Sequence, residues 1–140
     1  MFELSVTAID QNLDAVINFI QEKLAAVDCP KRAQFQIRLA VEEIYVNIAH
    51  YAYKPEDGPA TIRCTIENDP LRVIIQFIDH GKPFNPLQKE TPDIQKPAAE
   101  REIGGLGIFL AKKNMDAIDY EYKDGSNILT VKKQLDQAKS

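Results

Sequence analysis

The chain has 140 residues, of which 44% are hydrophobic and 27% are charged, and its formal net charge is −4. This size and balance predict one compact domain with its own apolar core and argue against a disordered chain. The basic residues are scattered, no apolar run is long enough to span a bilayer, and the first ten residues lack a secretion signal, so a nucleic-acid-binding, membrane or secreted protein is not indicated.

The first half of the sequence predicts one strand and two amphipathic helices. Phe2–Ala8 alternates apolar and polar residues in the pattern of an edge strand, and Asp10 stands where it can cap the following helix. Pro30 suits the first position of a second helix, and the prolines and glycine of Lys54–Pro59 end it. The first helix carries a stripe of apolar residues at helical spacing, namely Leu13, Val16, Ile17, Ile20, Leu24 and Val27.

The second half predicts two pairs of strands separated by a long loop and a third helix. Pro83–Pro97 carries four prolines, which is typical of a lid or a binding segment, and the third helix begins near Gly105. The order of elements indicates an α+β fold, a two-layer sandwich in which helices cover one face of a mixed, mostly antiparallel sheet, and we expect residues 1–140 to form a single domain. The strands are Thr61–Glu67, Leu71–Asp79, Asp119–Lys123 and Asn127–Leu135.

The cysteines and histidines do not predict a zinc site. Cys29 and Cys64 are the two cysteines, the chain has two histidines, and neither type stands at metal-ligand spacing. We therefore expect reduced core thiols and a cytoplasmic protein.

Glu43 and Asn47 form the first polar pair with chemical interest. Because they are four residues apart, they lie one above the other on the same face of the second helix. Their neighbours Ile44 and Ile48 point to the core, so the pair stands at the margin of the apolar face. By itself this pattern is also typical of a solvated polar flank.

Asp79 ends a strand whose apolar residues alternate with period two as far as Phe77. Asp79 shares their phase, so its carboxylate points to the covered side of the sheet and needs a hydrogen-bond donor there. The exocyclic amine of a nucleotide base would supply one, and so would a turn in which the aspartate bonds its own backbone near Gly81. A glycine at position 81 also lets a flat ligand approach the backbone closely.

The run Gly104-Gly105-Leu106-Gly107 stands immediately before the third helix. Free backbone N–H groups and the helix dipole make such a junction attractive to phosphate, although a hinge or a tight turn uses the same residues. The run lacks the Gly-Lys-Ser/Thr of a Walker A loop, and no predicted strand leads directly into it as in a dinucleotide fingerprint.

Glu43–Asn47, Asp79–Pro86 and Gly104–Leu110 together resemble the N box, the G1 box and the G2 box of the GHKL superfamily. This superfamily includes gyrase-type ATPases and histidine kinases and shares a histidine-kinase-like ATP-binding domain. Segments 112–116 and 124–133 resemble its anti-sigma-factor serine/threonine kinases. The resemblance covers residues 2–135 and implies the Bergerat-type ATP-binding fold.

The resemblance implies a role for each matching residue. Asn47 would offer its amide oxygen to Mg²⁺ on the phosphates of ATP, and Glu43 would act as general base or orient the attacking hydroxyl. Asp79 would accept a hydrogen bond from the adenine amine, and residues 85–103 would form the ATP lid. The other implied nucleotide contacts are Gly81, Phe84, Arg101, Gly104, Gly105, Leu106, Gly107 and Thr130.

The sequence departs from the resemblance at two places. Many of these kinases carry a histidine triplet after the N box, where this chain reads Tyr51-Ala-Tyr53, and His50 falls one residue early and receives no role. Arg101 stands near the position of a lid arginine that reaches the terminal phosphate in some relatives. If it does not reach, transfer could be slow while nucleotide binding survives.

The resemblance implies an ATP-dependent anti-sigma-factor serine/threonine protein kinase. It would sequester a sigma factor or a similar client and phosphorylate an antagonist of the anti-anti-sigma type. The alternative is a non-catalytic module that binds ATP only to set its affinity for a partner protein. The relatives also suggest a homodimer, and neither nucleic acid nor a membrane is an expected direct partner.

Overall fold

The structure, a computed structural model, describes residues 1–88 and 111–135. Short 3₁₀ turns cover Asp10–Asn12 and Pro86–Gln88. Residues 111–114 are helical, whereas the predicted start of the third helix near Gly105 lies outside the described residues. The regular elements are strand β1 (Phe2–Thr7), helices α1 (Leu13–Ala25) and α2 (Lys31–Tyr51), and strands β2 (Pro59–Glu67), β3 (Arg72–Asp79), β4 (Ala117–Lys123) and β5 (Ser126–Gln134).

The five strands form one sheet in the order β1-β2-β3-β5-β4. All four pairings among the described strands are antiparallel, so the sheet has no parallel pair in this part of the chain. The hairpin between β4 and β5 turns at Asp124 and Gly125, whose φ angles of 52° and 80° are those that a tight two-residue hairpin requires. β5 lies between β3 and β4, and this places residues late in the chain beside Asp79.

The core lies between the sheet and the two long helices. Burial alternates along β3, so that Val73, Ile75, Phe77 and Asp79 face the helices. Each large apolar side chain buried in this way contributes about 1.5–3 kcal/mol. The helices contribute a matching set that includes Val16, Ile17, Ile20 and Leu24 from α1 and Ile37, Val41 and Ile44 from α2.

Cys64 belongs to this core and is fully buried on β2. Burial raises the pKa of its thiol to about 11, so the group remains protonated and unreactive at neutral pH. Cys29 is also a buried free thiol. Neither helix of the described residues is long and apolar enough to cross a membrane.

Two predicted helix starts are wrong by a few residues. Asp10 does not cap α1, which begins at Leu13 without a side-chain cap. Asp10 instead lies 2.8 Å from Nε2 of His50, because the 3₁₀ turn carries it towards the end of α2. Pro30 precedes the second helix rather than beginning it, since its ψ of 144° is extended.

Candidate functional site

A cavity of about 410 Å³ lies between the C-terminal half of α2 and the adjoining ends of β3 and β5. Its volume falls within the roughly 300–1,000 Å³ usual for small-molecule sites. Most of the wall is apolar or aromatic, and three of its few polar residues are buried while Lys82 is exposed. The wall includes Ile44, Ile48, Phe77, Phe84, Tyr120 and Leu129 on the apolar side, with Asn47, Asp79 and Asn127 as the buried polar groups.

Asp79 lies on the covered face of the sheet, as its strand phase predicts, and is 5% exposed. Its Oδ1 accepts hydrogen bonds from the backbone N–H of Gly81 and from Nδ2 of Asn127, both at 2.9 Å. Within the described residues its Oδ2 accepts none. The carboxylate therefore accepts the turn hydrogen bond from Gly81, which was one of the two alternatives predicted from the sequence. Its Oδ2 can still accept a hydrogen bond from a donor in the cavity.

Asn127 stands directly opposite Asp79 in the β3–β5 pairing and is 7% exposed. Its Nδ2 also donates to the backbone carbonyl of Lys82 at 2.9 Å. Its Oδ1 accepts from the backbone N–H of Phe84 at 3.1 Å and from the hydroxyl of Tyr120. The single buried amide of Asn127 thus links the Asp79 carboxylate to the turn at Lys82 and Phe84.

Tyr120 completes this arrangement from β4. Burial raises the pKa of its phenol, so the hydroxyl stays protonated and can donate to Asn127. The same oxygen accepts a second bond from the N–H of Phe84 at 3.3 Å. Phe84 is 42% exposed and lines the cavity.

Glycine is required at position 81 by close packing against the end of α2, and not by the cavity. A Cβ placed on it would lie 2.2 Å from the backbone oxygen of Ala52, so no larger residue fits. The neighbouring Lys82 N–H donates to that same oxygen at 3.0 Å. The glycine therefore lets the turn after β3 dock against the end of α2, and it is not among the residues that line the cavity.

Asn47 is 8% exposed and lines the cavity from α2. Its Oδ1 is fully buried and has no hydrogen-bond partner within the described residues. A buried amide oxygen without a partner costs about 1–3 kcal/mol. Such an atom is a suitable ligand for a cation such as Mg²⁺, which prefers oxygen ligands and is commonly held by few protein groups plus phosphates.

Glu43 lies one helical turn before Asn47 and is half-buried. Burial raises the pKa of its carboxyl, and the negative charge of the adjacent Glu42 raises it further. Glu43 is not among the residues that line the cavity described here. The raised pKa makes the Glu43 carboxylate a better proton acceptor near neutral pH than the carboxylate of an ordinary glutamate.

Thr130 does not reach the cavity. It follows Leu129 on β5 and therefore faces the open side of the sheet, where its hydroxyl accepts from Nε2 of Gln76 at 3.3 Å. The structure thus separates it from Asp79 and Asn47. The remaining predicted contacts, Arg101, Gly104, Gly105, Leu106 and Gly107, lie outside the described residues together with most of the predicted lid.

Sequence reasoning placed the Asn127–Thr130 stretch at the nucleotide pocket but assigned a contact to Thr130 and none to Asn127. The signal was present, because Asn127 shares the strand phase of Leu129 and Val131 and must therefore face the covered side. The chosen residue, Thr130, has the opposite phase. The described residues contain no cluster of three or more His, Cys, Asp or Glu that could hold a metal ion, so a cation here would depend on Asn47 and on a ligand's own oxygens.

Comparison with known proteins assigns this architecture to a family. The profile of the histidine kinase-like ATPase domain matches residues 6–133. The chain is 32% identical to the serine/threonine-protein kinase BtrW of Bordetella bronchiseptica over 130 residues, which are 92% of this chain and 89% of that protein. It is also 32% identical to the serine-protein kinase RsbW of Listeria monocytogenes over 101 residues, which span 69% of this chain and 63% of that protein.

Solved structures agree on the fold. The crystal structure of the RsbU and RsbW domains of Rv1364c from Mycobacterium tuberculosis superimposes with a TM-score of 0.66 at 16% identity, covering 96% of this chain and 33% of that one. A histidine kinase domain from Erythrobacter litoralis superimposes with a TM-score of 0.57 at 13% identity, covering 88% of this chain and 61% of that one. The predicted α+β fold is therefore confirmed.

These comparisons also confirm the predicted superfamily and its ATP-binding class. The family match extends over nearly the whole described sheet and both long helices. The chain belongs to the histidine kinase-like ATPase domain family, among its serine- and serine/threonine-protein kinases.

Proposed function

We propose that this protein is an ATP-dependent serine/threonine protein kinase that acts as an anti-sigma factor. It binds and sequesters a sigma factor or a similar client, and it phosphorylates an antagonist of the anti-anti-sigma type. Family membership and the named kinase activity of the relatives support the reaction class. The relation to a sigma factor, the antagonist and a homodimer are inferences from the sequence resemblance.

The observation that carries the proposal is a pair of acceptor oxygens on one cavity, of which the Asn47 oxygen is fully buried. Oδ2 of Asp79 and Oδ1 of Asn47 accept no hydrogen bond within the described residues, and both residues line the same apolar space. A buried acceptor without a donor is costly, so it is retained where a ligand supplies the missing contact. ATP brings an amine for the carboxylate and a cation for the amide oxygen.

The base of ATP is bound at the end of the cavity where β3 and β5 meet. Asp79 accepts the exocyclic amine of adenine through Oδ2, while its Oδ1 is fixed by Gly81 and Asn127. Phe77 and Leu129 supply apolar surface beneath a flat ring, and Phe84 covers its edge. Contacts of the phosphates with Arg101 and with Gly104–Gly107 are proposed from the sequence alone.

Asn47 would hold Mg²⁺ through its amide oxygen, which has no partner within the described residues. A cation held there would supply positive charge to balance the negative charge of the phosphates during transfer. Asn47 and its helix neighbours Ile44 and Ile48 all line the cavity, so the amide oxygen is presented from a helix and not from a loop.

Glu43 accepts the proton of the substrate hydroxyl. The serine oxygen forms a bond to the γ-phosphorus, the bond from that phosphorus to the bridging oxygen breaks, and ADP leaves. Glu43 stands one turn from Asn47, so base and cation ligand approach the reaction from one helix. Its raised pKa makes it a stronger base than an exposed glutamate.

Titration calorimetry with ATP, with and without Mg²⁺, tests the nucleotide site. We expect wild-type protein to bind Mg-ATP and Asp79→Asn to lose at least about tenfold in affinity, because the amide would present a donor where an acceptor is needed. Asp119→Asn, an exposed aspartate of β4, is the matched control and should bind as wild type does. Equal binding by all three proteins would contradict the proposed base contact.

Phosphotransfer tests the enzyme. Purified protein, Mg-ATP and the cognate antagonist should yield a phosphoserine that mass spectrometry can locate. Glu43→Gln should bind ATP normally and transfer about a hundredfold or more slowly. Glu22→Gln, an exposed glutamate of α1, should transfer at the wild-type rate. An antagonist that stays unmodified while ATP binds normally would exclude the kinase.

A non-catalytic module is the second proposal, and one observation favours it. Glu43 does not line the cavity, so the described residues bring the nucleotide site together without the base. In that case ATP would set only the shape of a protein-binding surface. Partner binding would then depend on ATP in both wild type and Glu43→Gln, and no phosphoserine would form in either.

We also propose that residues 1–140 act as one ATP-binding domain and that the protein works in the cytoplasm. The cytoplasmic setting is supported by the two cysteines, which are free and buried. Alkylation and mass spectrometry of protein prepared without reductant should recover both as thiols.

A further inference from the structure

The N-terminal half of α2 carries a surface that the cavity does not use. Phe35 is 62% exposed, and Lys31, Arg32 and Arg38 are exposed around it. Residues 31, 35 and 38 are four and three positions apart, so they follow one another along one face of the helix, with Arg32 beside them. These four residues are called the basic–aromatic stripe below.

The stripe is remote from the nucleotide site. Phe35 precedes Asn47 by 12 positions on the same helix, which corresponds to roughly 18 Å along its axis. Three other exposed aromatic residues have local roles, since Tyr51 and Phe84 line the cavity and Phe2 lies beneath the Lys23 ammonium. Tyr122, on β4, is exposed as well but has, within the described residues, no cluster of cations like that around Phe35. Phe35 does not line the cavity, and no Lys or Arg of the described residues lies over its ring. Neither the site nor a cation–π contact therefore explains its exposure.

The cations of the stripe have no partner in the part of the chain that the structure describes. Lys31, Arg32 and Arg38 form no ion pair or hydrogen bond within residues 1–88 and 111–135. Residues 30–41 contain these three cations and no carboxylate, although the chain as a whole is acidic. Lys31 and Arg32 stand in the first turn of α2, where positive charge opposes the helix dipole. The arrangement therefore gives the fold no internal stabilisation.

We propose that the basic–aromatic stripe docks a segment of a partner protein that presents an apolar side chain between carboxylates. The cations supply charge complementarity to the carboxylates, and Phe35 supplies the apolar contact. Aromatic residues and arginine are the residue types most enriched in protein–protein interfaces and among their energetically dominant contacts.

Other anionic partners fit the surface less well. The net charge of −4 repels a long polyanion such as a nucleic acid. A single exposed aromatic offers too little apolar area to hold a lipid surface. A short acidic segment meets the local positive charge of the stripe without extending over the acidic remainder of the chain.

The inference goes beyond the proposed kinase activity and does not depend on it. A partner docked on the stripe does not enter the cavity, because the two surfaces are a dozen residues apart on α2. Binding at the stripe should therefore persist without nucleotide.

Peptide selection tests the docking surface. A phage-displayed library of short random peptides is selected on the whole wild-type chain without nucleotide, and enriched peptides are synthesised for fluorescence anisotropy. We expect enriched peptides to carry several carboxylates around an aromatic or large aliphatic residue, and their affinity should fall with added salt. Phe35→Ser and Arg32→Glu/Arg38→Glu should each weaken binding at least about tenfold.

Matched variants and competing ligands complete the experiment. Tyr122→Ser/Lys123→Glu changes an exposed aromatic and a cation elsewhere, on β4, and should bind the peptides as wild type does. Arg32→Ala/Arg38→Ala serves as a milder test if the charge reversal fails to fold. Selection without enrichment of acidic peptides, or equal binding by the stripe variants, overturns the proposal. Tighter stripe-dependent binding of a single-stranded oligonucleotide or of phosphatidylglycerol vesicles also overturns it.

Discussion

Two buried amides line the same cavity and are bonded in opposite ways. Asn127 uses both ends of its amide, bonding Asp79, Lys82, Phe84 and Tyr120. Asn47 is almost equally buried, yet its Oδ1 has no partner within the described residues. The same type of side chain therefore links neighbouring segments on β5, whereas on α2 its oxygen has no partner within the described residues.

This difference in hydrogen bonding predicts that Asn127 contributes mainly to the stability of the fold and Asn47 mainly to ligand binding. Removing a satisfied buried amide leaves its former partners without bonds, which costs folding free energy. Removing an unsatisfied one leaves no partner behind, so the fold loses little and the ligand loses a contact. Residues that break the usual pairing rule without an internal compensation are where function is expected.

Asn47→Ala should produce the largest effect. We expect Mg-dependent phosphotransfer to fall about a hundredfold or more, because the cation would lose its protein oxygen. The free energy of unfolding should stay the same or rise by up to about 1 kcal/mol, since alanine favours the helix and no bond is broken. Urea denaturation and a transfer assay measure the two quantities.

Asn18→Ala is the matched control for Asn47→Ala because Asn18 is an exposed asparagine on α1. It gains the same helix propensity without touching the cavity, so its transfer rate should equal that of wild type. A clear loss of stability in Asn47→Ala relative to Asn18→Ala would show that the amide at position 47 also stabilises the fold.

Asn127→Ala should have the opposite profile. We expect the free energy of unfolding to fall by about 2–3 kcal/mol, since Asp79 and Lys82 both lose a bonding partner in a buried place. Urea denaturation measures the loss. Ser126→Ala, which removes only an exposed bond to His80, should change the free energy by less than about 0.5 kcal/mol.

A double-mutant cycle sharpens the comparison further. Asp79→Ala and Asn127→Ala should be non-additive in unfolding free energy by about 1–2 kcal/mol, because they remove two ends of one hydrogen bond. Asn47→Ala combined with Asn127→Ala should be additive within about 0.5 kcal/mol. Additivity in the first pair would mean that Asn127 does not hold the carboxylate.

The rate at which the Cys64 thiol is labelled provides a second way to compare the Asn47 and Asn127 variants. Its thiol is buried and has a pKa of about 11, so a disulfide reagent near neutral pH should label it only when the domain opens. Asn127→Ala should therefore speed the labelling, and Asn47→Ala should not. Mass spectrometry distinguishes Cys64 from Cys29, and equal labelling rates in both variants would contradict the assignment of Asn127 as the stabilising amide.

The smallest expected effect concerns the pH profile of Glu43. Burial and then the charge of Glu42 raise the pKa of this carboxyl, and a general base works only when deprotonated. Single-turnover transfer should therefore fall, as pH is lowered, at a higher pH than an ordinary glutamate would give. Glu42→Gln should move that acid limb to lower pH, and an unchanged limb would argue against Glu43 as the base.

Strand phase and helix spacing predicted much of the site. Period two placed Asp79 on the covered face, and the four-residue spacing placed Glu43 and Asn47 along one helix. The same rule, applied to β5, would have selected Asn127 and rejected Thr130. That error came from assigning a role by motif position without checking which face of the strand the residue occupies.

Contacts between distant segments escaped sequence reasoning. Asp10 was predicted as a helix cap but pairs with His50, 40 positions later in the chain. Gly81 was predicted to let a flat ligand approach the backbone, whereas in the structure the backbone of Ala52 occupies the space that a Cβ at position 81 would need. Local propensity cannot anticipate either case, since each depends on which segments the sheet and helices bring together.

The sequence by itself determined the alternation of the strands, the apolar stripes of the helices and the family, because these follow from side-chain periodicity and short motifs. Only the tertiary structure decided which polar groups are satisfied. Strand β5 inserts between β3 and β4 and brings Asn127 to Asp79, while no described segment reaches the oxygen of Asn47. Hydrogen bonding between distant residues depends on their arrangement in space, which local patterns do not encode.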